Sequence, residues 1–160
     1  MAVNFLSGFL SNMADKSLNM LAPLHRYRCR VIYGDTDSGG VVYYDNYLRY
    51  FEAARTEFMR ERALSYKEIE GQGFIMPVVE CQVRYKASAR YDDLLLVETS
   101  LVEVKSRTCR FNYRVIRAND DKILVQGYTI HAVVDINSRL TKFPENYLAV
   151  LRGQQSAETA

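Results

Sequence analysis

The chain has 160 residues, 48% of them hydrophobic and 25% charged, with a formal net charge of +2. That balance describes one soluble globular domain able to bury a core. It excludes a basic nucleic-acid surface, because the Lys and Arg residues are spread among acids, and it excludes a membrane-spanning helix, because no run reaches ~20 apolar residues.

Residues 1–22 read as an N-terminal extension. Phe5, Leu6, Phe9, Leu10, Met13, Met20 and Leu21 are spaced as a weakly amphipathic helix. No basic region precedes Phe5, so a secretion signal is not expected, and the Lys/Arg-rich polar face of a membrane-surface helix is missing. The extension reads as an extra helix packed on the domain or on a neighbouring subunit, or as an over-long start with Met20 as the alternative. One domain is expected over 23–152, followed by a loose tail over 153–160.

Within the domain, Tyr27, Cys29, Val31 and Tyr33 alternate with Arg26, Arg28, Arg30 and Ile32, the pattern of a half-buried strand. A helix over about 46–63 follows, with Tyr47, Tyr50, Phe51, Ala54 and Phe58 three and four apart and Asp45 or Asn46 as its cap. Ser65 and Glu68 form a capping-box pattern for a second, short helix. The period then changes to two. Val79, Cys81, Val83, Tyr85 and Ala87 face one way, and Glu80, Gln82, Arg84 and Lys86 the other. Residues 89–93 read as a turn between this strand and the next, over 94–106. Two more strands are expected over 109–117 and 123–136, joined by a hairpin turn over 118–121. Pro144 starts a closing helix. Short turns make consecutive strands antiparallel neighbours, so the order predicts an α+β fold of one long helix on a five-stranded antiparallel sheet.

Cys29, Cys81 and Cys109 are odd in number, far apart and match no zinc spacing. They read as reduced core residues, which favours a cytoplasmic setting. His25 and His131, the two histidines, have no second metal-type ligand near them in sequence and read as ordinary strand residues. No metal site is expected.

The chemistry concentrates between the first strand and the long helix. Asp35-Thr36-Asp37-Ser38-Gly39-Gly40 sets two acids against two glycines that permit a tight turn and close approach of a ligand. From Gly40 the chain runs into a helix start, where unpaired N–H groups favour negative charge. A calcium loop would need a ligand where Gly39 stands and a Glu where Asn46 stands. A phosphotransferase of the haloacid dehalogenase type would need a parallel βαβ framework, and none follows. A carboxylate beside a helix N-terminal N–H fits acyl transfer, as nucleophile or base beside an oxyanion donor. A turn shaped by two acids fits the same residues without any chemistry.

Asp35-Thr36-Asp37-Ser38-Gly39-Gly40-Val41-Val42-Tyr43-Tyr44-x-x-Tyr47, then Phe51-Glu52-x-Ala54-Arg55-Thr56-Glu57, resembles the hotdog-fold acyl-CoA thioesterases of the 4-hydroxybenzoyl-CoA thioesterase type, in particular their Tol–Pal-associated group. Pro77-Val78-Val79-Glu80 and Arg84-Tyr85-x-x-x-Ala89-Arg90-Tyr91-Asp92-Asp93 extend the likeness, which covers roughly residues 24–150. It implies a long central helix wrapped by a curved five-stranded sheet, a homodimer or homotetramer with shared sites, and thioester hydrolysis without a cofactor. Carried over by position, the catalytic carboxylate falls on Asp37 and the oxyanion N–H on the backbone of Tyr44. Many members of that group carry His at this position and this chain carries Tyr44, so the resemblance extends here to the backbone N–H and not to an imidazole. Gly40, Val41 and Tyr47 are expected beside the substrate. Lys86 and Arg90 are the first candidates for the coenzyme A phosphates, with Arg107, Arg139 and Lys142 behind them. Glu52 and Glu57 are the helix alternatives to Asp37, set against a reading as exposed partners of Arg55 and Arg60. A non-catalytic acyl-CoA-binding or partner-binding hotdog domain is the other reading of the same motif, and turnover separates the two.

Overall fold

The computed structural model describes residues 18–153. Most of the expected helical extension therefore lies outside the described residues, as does the tail from 154 onward. Residues 18–24 are not helical. They cross the sheet face opposite the long helix, where the Leu21 N–H donates to Ser100 Oγ (2.8 Å), Ser100 Oγ donates to the Leu21 carbonyl (2.6 Å) and Asn112 Nδ2 donates to the Asn19 carbonyl (2.7 Å). Among the described residues no helix is long and apolar enough to cross a membrane.

Strand β1 (His25–Arg30) leads through a 3₁₀ turn (Tyr33–Asp35) to helix α1 (Asn46–Arg60) and helix α2 (Tyr66–Gly71). Then come β2 (Phe74–Ile75), β3 (Val78–Tyr85), β4 (Leu94–Val104), β5 (Thr108–Arg117), β6 (Lys122–Ala132), β7 (Val134–Asp135) and helix α3 (Glu145–Leu151). Five strands form one antiparallel sheet in the order β1-β4-β5-β6-β3, and β2 pairs with β7 apart from it.

The order corrects one expectation. β3 and β4 are consecutive but not neighbours: β3 pairs with β6 at one edge and β4 pairs with β1 at the other. Residues 86–93 are a crossing, not a turn. Tertiary hydrogen bonds draw this segment over the start of α1: Val42 N–H donates to the Ala89 carbonyl (2.9 Å), Ala89 N–H donates to the Tyr47 hydroxyl (3.0 Å), and Val31 N–H donates to the Asp93 carbonyl (3.0 Å). Ala89 is fully buried as a result.

Helix α1 lies on the sheet because its apolar stripe has the helical period and the strands beneath have period two. Tyr47, Tyr50, Phe51, Ala54, Phe58 and Met59 are buried against Val97, Phe111, Tyr113 and Val115. The Phe51 ring stacks on Tyr113 with centroids 4.3 Å apart, and Phe58 meets Phe111 edge-on at 5.6 Å. Gly127 permits this approach, since a Cβ there would overlap the Gln82 carbonyl oxygen and lie 2.9 Å from Phe51 Cε2.

Smaller departures have local causes. Tyr33 leaves the strand for the 3₁₀ turn and is 71% exposed. Val79 falls where the β3–β6 register slips, which takes it out of the alternation, and Cys81 is exposed on that edge strand instead of lying in the core. The last long strand ends at Ala132, where the chain turns off to pair β7 with β2. Helix α1 stops at Arg60, short of the expected end, and Ala63 takes a left-handed conformation (φ 53°) in the turn that follows.

Candidate functional site

The Asp-Thr-Asp-Ser-Gly-Gly stretch is a tight hairpin. Gly40 N–H donates to the Asp37 carbonyl (3.0 Å) and Asp37 N–H to the Val41 carbonyl (2.9 Å), with an isolated bridge between Thr36 and Val42 below them. This is the three-residue loop with a glycine in the left-handed region, and Gly40 supplies it at φ 72°.

The two acids have different surroundings. Asp35 is buried. Its Oδ2 accepts from the Tyr50 hydroxyl (2.7 Å) and the Ile32 N–H (3.3 Å), and its Oδ1 from Arg49 (3.4 Å). Its carbonyl accepts from Tyr43 N–H (2.9 Å) and Asn46 Nδ2 (2.9 Å). Asp35 thus ties the turn to α1 and lines a groove of about 420 Å³ between β1 and the helix. Asp37 is exposed at the tip, with one oxygen accepting from Gly39 N–H (2.8 Å). The other oxygen has no partner among the described residues.

The helix start is uncapped. Asp45 occupies the cap position but makes no side-chain cap bond, and the Asn46 amide goes to Asp35 instead, so neither residue acts as the expected cap. The Tyr43 carbonyl accepts from Asn46 N–H (3.0 Å), which points it into the helix. Because the peptide is planar and trans, the Tyr44 N–H points the other way. It meets no acceptor among the described residues, at the positive end of the helix dipole. The Tyr44 carbonyl, in the next peptide, accepts from the Tyr85 hydroxyl (2.9 Å).

Of the residues singled out from sequence, Asp37, Gly40, Val41 and Arg90 gather at this turn. Arg90 Nη1 lies 3.9 Å from where a Gly40 Cβ would stand. Tyr47 is close in the chain but buried beneath, its hydroxyl accepting from Ala89 N–H, and burial raises its pKa. Lys86 is exposed just past β3, its N–H donating to the Leu124 carbonyl (2.8 Å). Glu52 is exposed on α1, and Glu57 pairs with Arg60. Among the described residues no cluster of His, Cys, Asp or Glu could hold a metal ion.

Arg55 corrects its expectation as a surface partner. It is buried, donating to the Tyr66 hydroxyl (2.8 Å) and the Tyr113 hydroxyl (3.2 Å). Tyr113 bonds Thr129 (2.8 Å), Thr129 bonds His131 Nε2 (2.9 Å), and His131 Nδ1 bonds the Met76 carbonyl (3.1 Å). Burial, with the Arg55 cation adding to it, pushes the His131 imidazole down to about 4. The one signal for this network in the sequence is the place of Arg55, four residues after Phe51 and so on the buried stripe of α1.

The family model described as "Thioesterase-like superfamily" matches residues 31–151. An "Acyl-CoA thioester hydrolase YbgC" of Escherichia coli O6:H1 is 34% identical over 66% of this chain and 83% of its own length. The crystal structure of a hypothetical protein from Thermus thermophilus matches with a TM-score of 0.77 and 34% identity, over 83% of this chain and 98% of that one. A structure of a 4-hydroxybenzoyl CoA thioesterase mutant complexed with 4-hydroxybenzoyl CoA matches with a TM-score of 0.74 over 81% of this chain and 99% of that one. At 23% identity this last likeness is one of fold.

Proposed function

Since the chain belongs to the thioesterase-like superfamily, we propose that its Asp37 carboxylate and Tyr44 backbone N–H carry out the thioester hydrolysis of that family. Membership, with the E. coli relative, makes it an acyl-CoA thioesterase of the hotdog fold, releasing a carboxylic acid and free coenzyme A. The observation that carries the assignment is the pairing at one turn of an exposed carboxylate with a helix-start N–H that has no acceptor among the described residues. Asp35, the other acid, is held by Tyr50, Ile32 and Arg49.

As the thioester carbonyl becomes tetrahedral, its oxygen gains the negative charge that the Tyr44 N–H and the helix dipole favour. Asp37 acts in one of two ways. It attacks the carbonyl carbon and expels the thiolate, leaving a mixed anhydride that water opens. Or it takes a proton from water, which attacks directly. In both routes the C–S bond breaks, the thiolate gains a proton, and water supplies the new oxygen. Neither route uses a metal or further cofactor. Gly40 and Val41 let the backbone approach the substrate, Tyr47 supports the turn from beneath, and Lys86 and Arg90 meet the coenzyme A phosphates.

The working unit in this reading is a cytoplasmic homodimer or homotetramer. The open edge of β3 supports it, with Val78 and Val79 at least half exposed. The experiment that tests the activity is release of free thiol from a panel of short, long and aromatic acyl-CoAs. Turnover of at least one that falls to background in Asp37→Ala is expected. Tight acyl-CoA binding without thiol release would instead make this a binding domain.

A further inference from the structure

We propose that Tyr85 is a positioning residue for this reaction, its hydroxyl fixing the peptide that follows the oxyanion donor at Tyr44. The proposal rests on the reading of Tyr44 given above.

Two peptide planes meet at the Tyr44 Cα. The first carries the Tyr44 N–H, and its carbonyl, that of Tyr43, is held by Asn46 N–H at 3.0 Å inside the chain's own helix start. The second carries the Tyr44 carbonyl, and no helical bond holds it. Its partner comes from across the fold: the Tyr85 hydroxyl, at the last residue of β3, donates to it at 2.9 Å. With both planes anchored, rotation about the Tyr44 backbone is restricted and the N–H keeps one direction. Without Tyr85 the second plane is free to turn, on a stretch whose N-cap residue makes no side-chain capping bond.

The phenol is itself aimed. Its ring meets the Tyr47 ring at 5.8 Å and 65°, and the Tyr47 hydroxyl is fixed by Ala89 N–H. Burial first, then Cys81, Tyr44 and Asp45, raises the Tyr85 pKa, so the hydroxyl keeps its proton through the neutral range. The residue lies on the edge strand, 47% exposed, which makes its bond to the loop the one side-chain link from that edge to the Tyr44 carbonyl among the described residues. An oxyanion donor stabilises charge only along its own direction, and loss of a whole donor costs on the order of 100-fold or more in kcat. Loss of the clamp alone should cost less.

The test is Tyr85→Phe in the full chain, assayed with the acyl-CoA that the wild type turns over best. Phe keeps the ring contact with Tyr47 and removes only the donor. The expected result is a fall in kcat of roughly 10-fold, KM within about twofold, an unchanged mass by light scattering, a melting temperature within a few degrees, and a pH–rate profile of the same shape. Unchanged kcat overturns the proposal, and so does a loss of kcat matched by a loss of melting temperature or of assembly. A displaced alkaline limb overturns it differently, by making Tyr85 a proton donor in the reaction. If wild-type protein releases no thiol from any acyl-CoA, the parent reading fails instead. If the wild type is active and Tyr85→Phe equals it, only the positioning role fails.

Discussion

The hydroxyl of Tyr50 lies 2.7 Å from Asp35 Oδ2, and this bond commits the first acid of the turn to the helix while Asp37, two residues on, stands in solvent. A division of labour between the two acids is expected from it. Asp37→Ala should lower kcat at least ~100-fold, with KM and melting temperature little changed. Asp35→Ala should do the reverse and lose about 2–4 kcal/mol, because the Tyr50 hydroxyl and Ile32 N–H lose their acceptor. Kinetics and melts of both, beside Glu52→Ala and Glu57→Ala, decide the matter. A glutamate variant that loses turnover while Asp37→Ala keeps it would move the reaction to the helix.

The arginine beside Gly40 should act on binding. Arg90→Ala, and to a lesser degree Lys86→Ala, should raise KM for acyl-CoA while kcat holds, and the effect should shrink as salt rises. Titration of KM between low and high ionic strength measures it. A KM indifferent to both substitutions would send the phosphates to Arg139 and Lys142.

His131 should make the fold acid-sensitive. Its imidazole titrates near 4 when folded and near 6.5 when unfolded, so below pH 6.5 the unfolded chain binds the extra proton. The stability from this residue is complete above pH 6.5 and is lost as pH falls toward 4, by at most about 3 kcal/mol. Urea melts at pH 7.5 and pH 5 should show that slope in the wild type and a shallower one in His131→Gln. Equal slopes would exclude His131 as its source.

Gly127→Ala should destabilise the fold by about 1–3 kcal/mol, since the new Cβ meets backbone at Gln82 and the Phe51 ring, and neither can yield cheaply. Gly71→Ala is the control, because nothing lies within 4 Å of its Cβ position. Thermal melts should separate the two clearly.

The edge strand β3 predicts assembly. Light scattering at micromolar concentration should give a dimer or a tetramer. An active monomer of 18.5 kDa would exclude a site shared between subunits.

What the sequence shows well is local. Ser65 and Glu68 form the reciprocal cap that their spacing predicts, with Glu68 N–H on Ser65 Oγ (3.2 Å) and Ser65 N–H on Glu68 Oε2 (2.9 Å). The apolar stripe from Tyr47 to Phe58 is the buried face of α1, and Phe111, Tyr113 and Val115 are the inward residues of β5. What it hides depends on distant partners. Residues 89–93 have turn composition, and only their bonds to Val31, Val42 and Tyr47 make them a crossing. Arg55 looks like a surface charge until Tyr66 and Tyr113 are placed around it. The turn at Asp37 is legible from its glycines, whereas the bond from Tyr85 joins residues 41 positions apart and no periodicity announces it.

The crossing at residues 86–93 also governs how the chain can be assembled in time. The half made first holds α1 and the two outer strands β1 and β3, and the half made second holds the three central strands. Neither outer strand has a partner until the centre exists: β1 waits for β4, and β3 waits for β6, the last of the five to be made. On a ribosome, the long helix therefore emerges with its apolar face uncovered and stays so until nearly the whole domain has been synthesised. Folding should be slow for the chain's length, late in translation and all at once, with the exposed helix as the surface that a chaperone would meet.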